Sequence, residues 1–120
     1  MQREANEQEA LFRWAEWAGP TYPELRLLFH VPNGGTRNRA EAAHLKRQGV
    51  KPGVPDLCLP VARGGFHGLY IELKAERGRA SAAQREWLAD LCAQGYRAEI
   101  CVGWEAASEV LKEYLKGESA

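Results

Sequence analysis

Two short apolar segments, "PDLCLPV" at residues 55–61 and "LYIELK" at residues 69–74, constrain the fold of this chain most strongly. Each has the length of a β-strand, and the Gly-rich stretch "ARGGFHG" between them is typical of a hairpin connection. Both segments also carry charge. Asp56 opens the first, whereas Glu72 and Lys74 lie on one face of the second. Because an unpaired buried carboxylate is costly, Asp56 must either reach water or meet a positive partner.

The remaining sequence alternates helical patterns with one or two further strands. Ser81 and Gln84 form a capping box at the start of the clearest helix, and Gly95 ends it. The segment "LRLLFHV" is either a strand or the end of a helix, and "YRAEICVG" predicts a strand. The predicted helices are "REANEQEALFRWAEWAG", "RAEAAHLKRQG", "SAAQREWLADLCAQG" and "WEAASEVLKEYL". This order predicts an α/β fold, a small mixed β-sheet flanked by helices.

Length and composition limit the class of protein. A chain of 120 residues suits one domain, which we assign to residues 1–120. The net charge of zero argues against a non-specific basic coat for nucleic acid, although residues 36–53 carry five basic side chains against one acidic. No apolar run approaches the length of a membrane span, and the N-terminus lacks the apolar core of a signal peptide. We therefore expect a cytoplasmic protein, of a bacterium or a phage-infected host.

The cysteines and tryptophans are expected to be structural. The three cysteines are far apart and never form a CxxC pair, so we expect buried, reduced thiols and no zinc site or disulfide. The tryptophans lie at helical core spacings or at helix starts, which favours packing over base stacking. The histidines show no metal-ligand spacing. These positions are Cys58, Cys92 and Cys101; Trp14, Trp17, Trp87 and Trp104; and His30, His44 and His67.

The hairpin brings its charged residues to one end of the sheet. If the two strands pair, Asp56 starts its strand close to where the strand bearing Glu72 and Lys74 ends. Mg²⁺ prefers oxygen ligands and usually takes one or two carboxylates, which Asp56 and Glu72 would supply together with the backbone carbonyl of Leu73. Lys74 would position a water molecule or stabilise a developing oxyanion. These residues suit hydrolysis of a phosphodiester, although a turn residue and a solvated strand face would explain each of them singly.

The pattern "GVPD" followed by "IELK" resembles the proline-aspartate, glutamate-x-lysine signature of the restriction-endonuclease-like superfamily, written PD-(D/E)xK. The stretches "LFHVPNGGTRN", "LKRQGVKPGVPDLCLPVARGGFHGLYIELK", "SAAQREWLADLCAQGY" and "CVGWEAA" resemble its VRR-NUC branch more closely. The resemblance implies a restriction-endonuclease-like core and a Mg²⁺- or Mn²⁺-dependent endonuclease with Asp56, Glu72 and Lys74 at its centre. It also implies a homodimer that acts on branched DNA such as four-way junctions.

The same resemblance implies further site residues. It places a glutamate of the first helix near the metal, followed four residues later by a glutamine, and Glu4 with Gln8 fits that spacing. Glu7 and Glu9 crowd the same segment, so the assignment among the three glutamates stays open. Gln84 matches a polar position of the family near the site, and its capping role is compatible with a catalytic one.

Other polar residues are candidates for DNA contacts. The likeness at "PNGG" suggests that Asn33 approaches DNA or the metal, although this stretch is equally compatible with a simple turn. Arg37, Arg39, Lys46 and Arg47 are candidate phosphate contacts. Two alternatives remain at this point: a non-catalytic module that binds branched DNA on the same fold, and a sequence-specific restriction nuclease, for which a chain this short leaves little room.

Overall fold

The structure is a computed structural model that describes residues 2–32 and 38–117. A four-stranded sheet forms its centre, and helices lie on both faces. The helices are α1 (Gln2–Ala18), α2 (Arg39–Arg47), α3 (Ala82–Ala93) and α4 (Trp104–Leu115), with a 3₁₀ turn at Pro23–Leu27. The strands are β1 (Phe29–His30), β2 (Leu57–Leu59), β3 (Leu69–Lys74) and β4 (Arg97–Val102). The predicted α/β class is confirmed.

The sheet is mixed, as the sequence predicted. Its strand order is β1-β2-β3-β4, with β1, β2 and β3 antiparallel and β4 parallel to β3. The hairpin register pairs Leu57 with Ile71, and α3 provides the crossover from β3 to β4. The segment "LRLLFHV" contains both of the structures considered for it. Its beginning lies in the 3₁₀ turn, and Phe29–His30 forms a two-residue strand.

The two faces of β3 have different surroundings because side chains alternate along a strand. Leu69, Ile71 and Leu73 belong to the hydrophobic core, which α1 and α4 complete from their side of the sheet. Tyr70, Glu72 and Lys74 point to the other face. Helix α3 lies on that face, as shown by its hydrogen bond to Glu72. Apolar burial on one side therefore holds β3 in place while its other side presents charged groups.

Two predictions about buried residues were wrong. Trp17 is 79% exposed, whereas Trp14 and Trp104 pack against the core. Cys92 is exposed, unlike Cys58 and Cys101, and all three thiols are free. Helical spacing indicates which residues share a side of a helix but not how wide the buried stripe is, so residues at its margins were assigned to the core.

Helix α2 differs from the other helices because none of its residues is buried. Leu45 is its one half-buried side chain, and the side chain of Asn38 caps its N-terminus by accepting the Glu41 N–H at 2.7 Å.

Within residues 2–32 and 38–117, no helix is both long enough and apolar enough to cross a membrane.

The loop before β2 lies directly against α3, and Gly53 makes this possible. Its φ of 91° is in the left-handed region, and a Cβ there would lie 2.7 Å from the backbone of Ala83 and 2.9 Å from Cδ1 of Trp87. Because the loop leads straight into Asp56 while α3 carries Gln84, this close contact sets the distance between the two elements that supply the charged end of the sheet.

We predict that Gly53→Ala destabilises the protein by about 1–3 kcal/mol more than Gly49→Ala does. Gly49 is the matched control, because it has a similar φ of 101° but nothing within 4 Å of an added Cβ. Both variants carry the conformational cost of a left-handed alanine, about 1–2 kcal/mol. Urea unfolding measures the difference, and equal losses in the two variants would contradict the close packing of Gly53 on α3.

Candidate active site

Asp56 is anchored to the neighbouring strand by its side chain. The backbone N–H of Leu73 donates a hydrogen bond to Oδ2 of Asp56 at 3.0 Å. Continuing the observed register by two residues places Pro55 opposite Leu73, and a proline has no N–H to donate to the Leu73 carbonyl. Since the N–H and C=O of a strand residue point to the same side, the Leu73 carbonyl faces the side from which Asp56 approaches.

Glu72 is the most deeply buried charged residue of the cluster, with 1% of its surface exposed. Its Oε2 accepts a hydrogen bond from Nε2 of Gln84 at 3.0 Å and lies 3.3 Å from Nζ of Lys74. Its Oε1 is buried and has no hydrogen-bond partner among the described residues. A buried carboxylate oxygen without a protein partner is rare in a folded protein, and it leaves an acceptor that a cation or a water molecule would satisfy.

The surroundings of Glu72 favour its protonated form. Burial raises the pKa of Glu72 from an ordinary value of 4.5 to about 7, and the charge of the nearby Asp56 also raises this pKa. The ammonium of Lys74 lowers it but does not outweigh the other effects. A cation placed between Asp56 and Glu72 would reduce the repulsion between their two carboxylates.

Lys74 is also buried, and it lies between carboxylates of two elements. Its Nζ is 3.3 Å from Oε2 of Glu72 and 4.0 Å from Oε2 of Glu4, which belongs to the first turn of α1. The start of α1 can approach so closely partly because Gly78 has no side chain: a Cβ there would lie 3.3 Å from the same Glu4 oxygen.

The three glutamates of α1 have different surroundings. Glu4 reaches the charged end of the sheet, whereas Oε1 of Glu7 accepts the N–H of Trp104 at 2.8 Å and so caps α4, whose N-cap residue is a glycine. Glu9 is exposed. Gln8 is half-buried, and its side chain makes no hydrogen bond within the described ranges. Of the glutamates considered, the structure therefore brings only Glu4 to the cluster.

Gln84 combines two roles that the sequence suggested separately. Its backbone N–H donates to Oγ of Ser81 at 3.1 Å, and its Oε1 accepts the Ser81 N–H at 2.8 Å, which completes the capping box. Its Nε2 remains for Glu72. One amide thus satisfies the start of α3 with its oxygen and the buried carboxylate with its nitrogen.

The candidate DNA contacts lie apart from this cluster or outside the described residues. Arg39, Lys46 and Arg47 are exposed on α2. Asn33 and Arg37 fall in the range 33–37, which is not described. The structure therefore places three of the five predicted contacts on one exposed helix.

Sequence reasoning missed His30. Its Nδ1 lies 3.0 Å from the backbone oxygen of Asp56, and the N–H of Val31 donates to the same oxygen. His30 of β1 and the following Val31 thus fix the backbone of Asp56 from the side opposite β3. No spacing rule links a histidine to a residue 26 positions away, and only the pairing of β1 with β2 reveals the contact.

The residues present fit a hard divalent cation. In ranges 2–32 and 38–117, no three His, Cys, Asp or Glu side chains converge as a ready-made metal site. Mg²⁺ does not require such a group, because it usually takes one or two carboxylates and completes its shell with other oxygens. Asp56 and Glu72 form that pair, the Leu73 carbonyl faces their side, and the unpartnered Oε1 of Glu72 is an oxygen that a cation would satisfy.

The raised pKa of Glu72 predicts a dependence of stability on pH in the absence of divalent cations. A carboxyl whose pKa is higher in the folded state stabilises the fold fully below its unfolded pKa of 4.5, and this contribution is lost as pH rises towards about 7. We therefore expect Glu72→Gln to be more stable than the wild type at pH 8 in EDTA, by up to about 3 kcal/mol. The difference should shrink towards pH 4.

Thermal unfolding between pH 4 and pH 8, in EDTA and with Mg²⁺ or Mn²⁺, tests this expectation. A cation that binds only the folded state should raise the Tm of the wild type but not that of Glu72→Gln. The exposed Glu76 offers a matched control, since Glu76→Gln should change neither response. A stability difference between wild type and Glu72→Gln that stays constant with pH would contradict the raised pKa.

The double role of Gln84 can be separated by comparison with Ser81. Ser81→Ala and Gln84→Ala each disrupt the capping box, at a cost of about 1 kcal/mol. Only Gln84→Ala also removes the hydrogen-bond donor of Glu72, so it alone should shift the pH dependence of unfolding and the response to divalent cations. Identical pH and cation profiles in the two variants would show that Gln84 acts only as a helix cap.

Comparisons with known proteins identify the family of this chain. The family model of the VRR-NUC domain matches residues 3–105. A solved structure described as a VRR_NUC domain protein superimposes with a TM-score of 0.81 and 32% sequence identity, covering 98% of this chain and 91% of the other. A search of curated proteins finds no match. The matched range includes Glu4, Asp56, Glu72, Lys74 and Gln84, and the chain belongs to the VRR-NUC family of nuclease domains.

Proposed function

We propose that this protein is a Mg²⁺- or Mn²⁺-dependent endodeoxyribonuclease that hydrolyses phosphodiester bonds in branched DNA, such as four-way junctions. The observation that supports the proposal most is the buried Glu72 carboxylate, which lies beside Asp56 and Lys74 and has one oxygen without a partner. A charge arrangement that is unfavourable without a ligand points to a site built for a cation rather than for structural stability.

Asp56 and Glu72 would hold the cation, with the carbonyl of Leu73 as a third oxygen. A bound Mg²⁺ or Mn²⁺ would supply concentrated positive charge, which acidifies water and offsets negative charge on the phosphate. The chain itself fixes these donors: the Leu73 N–H holds the Asp56 carboxylate, and Gln84 holds the Glu72 carboxylate. The donors are therefore in position before any ligand arrives.

Lys74 would act on the nucleophile or on the phosphate. The residue is 7% exposed and its ammonium lies close to the Glu72 carboxylate, so it would donate hydrogen bonds to a water molecule or to a phosphate oxygen at the mouth of the site. The same ammonium stabilises negative charge that develops on the phosphate in the transition state. Glu4 would orient Lys74 or a water molecule from the side of α1.

Helix α2 would provide part of the DNA interface. Arg39, Ala43 and Arg47 lie four residues apart and so share one side of the helix, opposite the half-buried Leu45. Lys46 flanks this side. A short exposed helix whose outward side carries cations around a small residue can approach a phosphate backbone closely. We include Asn33 and Arg37, which precede α2, in the same proposed interface.

A homodimer would suit a branched substrate. Each chain has one candidate site, whereas symmetric cutting of a four-way junction requires two sites related by a two-fold axis. We therefore propose that two copies of the chain present their sites to two strands of the same DNA molecule.

The test is cleavage of a labelled panel that contains a four-way junction, a flap, a splayed arm, plain duplex and single-stranded DNA. We expect the wild type to cut a branched member with Mg²⁺ or Mn²⁺, not in EDTA, and Asp56→Asn to lose at least about 100-fold in rate. Glu4→Gln should reduce the rate, and Glu9→Gln, on the same helix but exposed, should not. Mixing wild type with excess Asp56→Asn should convert paired cuts into single nicks if the enzyme is a dimer.

Binding to branched DNA without cutting under either cation would contradict the enzyme and favour a non-catalytic DNA-binding module. Equal cutting of all DNA substrates in the panel would contradict the preference for branched DNA. If the mixture of wild type and Asp56→Asn still cuts both strands of a junction together, the homodimer would be contradicted.

A further inference from the structure

A polar groove of about 440 Å³ opens beside the candidate active site, between the first turns of α1 and the turn that follows β3. It is lined by Arg3, Asn6, Glu7, Ala75, Glu76 and Arg77. Ala75 directly follows Lys74 in the chain, and Asn6 lies two residues after Glu4. The groove therefore continues outward from the two elements that carry Lys74 and Glu4.

The backbone at Arg77 is unusual. Arg77 is the one described residue other than glycine with a positive φ, at 69°. It occupies the third position of a turn closed by a hydrogen bond from the N–H of Gly78 to the carbonyl of Ala75 at 2.8 Å. Positive φ at this position normally selects glycine or asparagine. An arginine held in a left-handed conformation next to a nuclease site is the kind of local strain that persists where function needs the side chain.

The arginines of the groove are available for a ligand. Within the described part of the chain, neither Arg3 nor Arg77 forms an ion pair or a side-chain hydrogen bond. The groove also contains two acidic residues. Glu7 is engaged, since its Oε1 accepts the N–H of Trp104, and Glu76 is exposed. Two unpaired guanidiniums and the Asn6 amide thus form the part of the groove that can bind an anion.

We propose that this groove binds a backbone phosphate of the nucleic acid next to the phosphate that is cut, and that Arg77 and Arg3 are its ligands. The inference rests on the proposed function for the identity of the anion. A second phosphate held beside Lys74 would fix the direction in which the strand crosses the site. Arg77 and Arg3 are accordingly positioning residues that orient the strand and do not touch the reacting atoms.

Binding in EDTA separates this inference from catalysis. The probe is a fluorescently labelled four-way junction, with plain duplex as a second substrate, titrated at several salt concentrations. Arg77→Asn removes the guanidinium while keeping a residue that tolerates positive φ, so the fold should not suffer. We expect it to bind about tenfold more weakly and to lower the slope of log affinity against log salt by about one.

Arg79 offers a matched control. It lies in the same loop two residues away, is exposed, and does not line the groove. Arg79→Gln should change binding much less than Arg77→Asn, and Arg3→Gln should resemble Arg77→Asn. Arg77→Lys retains the charge and should restore part of the affinity. Comparable losses for Arg77→Asn and Arg79→Gln would overturn the site, because they would reflect general electrostatic attraction.

A scan with single neutral methylphosphonate linkages then locates the phosphate. At one position near the cut, the neutral linkage should weaken binding of the wild type but not of Arg77→Asn, since the variant has already lost that contact. The absence of any such position, or of any DNA binding, would overturn the proposal. If the position is found but Mg²⁺ and Mn²⁺ support no cutting, the nuclease proposal fails while the phosphate site stands.

Discussion

The burial of Glu72 in the middle strand pair is the constraint on which the rest of the site depends. A carboxylate with 1% exposure must be compensated, and the neighbouring groups compensate it incompletely. Gln84 and Lys74 satisfy one oxygen, the other has no partner in the described structure, and Asp56 adds like charge. In the proposed function, this unsatisfied part would give the site its affinity for a cation, because a fully neutralised carboxylate would gain little from binding one.

The fold brings these groups together from three separate elements. Hydrophobic residues on one face of β3 hold the strand against α1 and α4, which leaves its opposite face free to carry Glu72 and Lys74. The turn before β2 contributes Asp56, and α3 contributes Gln84. Gly53 brings the last two elements into contact. The geometry of the site is therefore a property of the sheet and its packing, not of any one loop.

Local patterns in the sequence were sufficient for the features that depend on neighbours in the chain. Alternation in "LYIELK", the capping box at Ser81 and the hairpin all appear in the structure as predicted. Local patterns failed where the partner is distant. Glu4 and Glu7 lie one turn apart on α1, and only contacts with distant residues distinguish their roles: Glu4 approaches Lys74, whereas Glu7 accepts the N–H of Trp104, 97 residues away. The contact of His30 with Asp56 and the exposure of Trp17 likewise depend on how elements pack.

The amide of Gln84 has a consequence for which sequences this site can tolerate. Either glutamate or glutamine at the third helical position completes a capping box. Here only glutamine also offers an N–H to the buried carboxylate, whereas glutamate would place a third negative charge against it. Gln84→Glu would thus preserve the cap of α3 but destabilise the buried Glu72 carboxylate of β3. A substitution at this position therefore has to satisfy two neighbours, the helix cap and the buried carboxylate, with opposite demands.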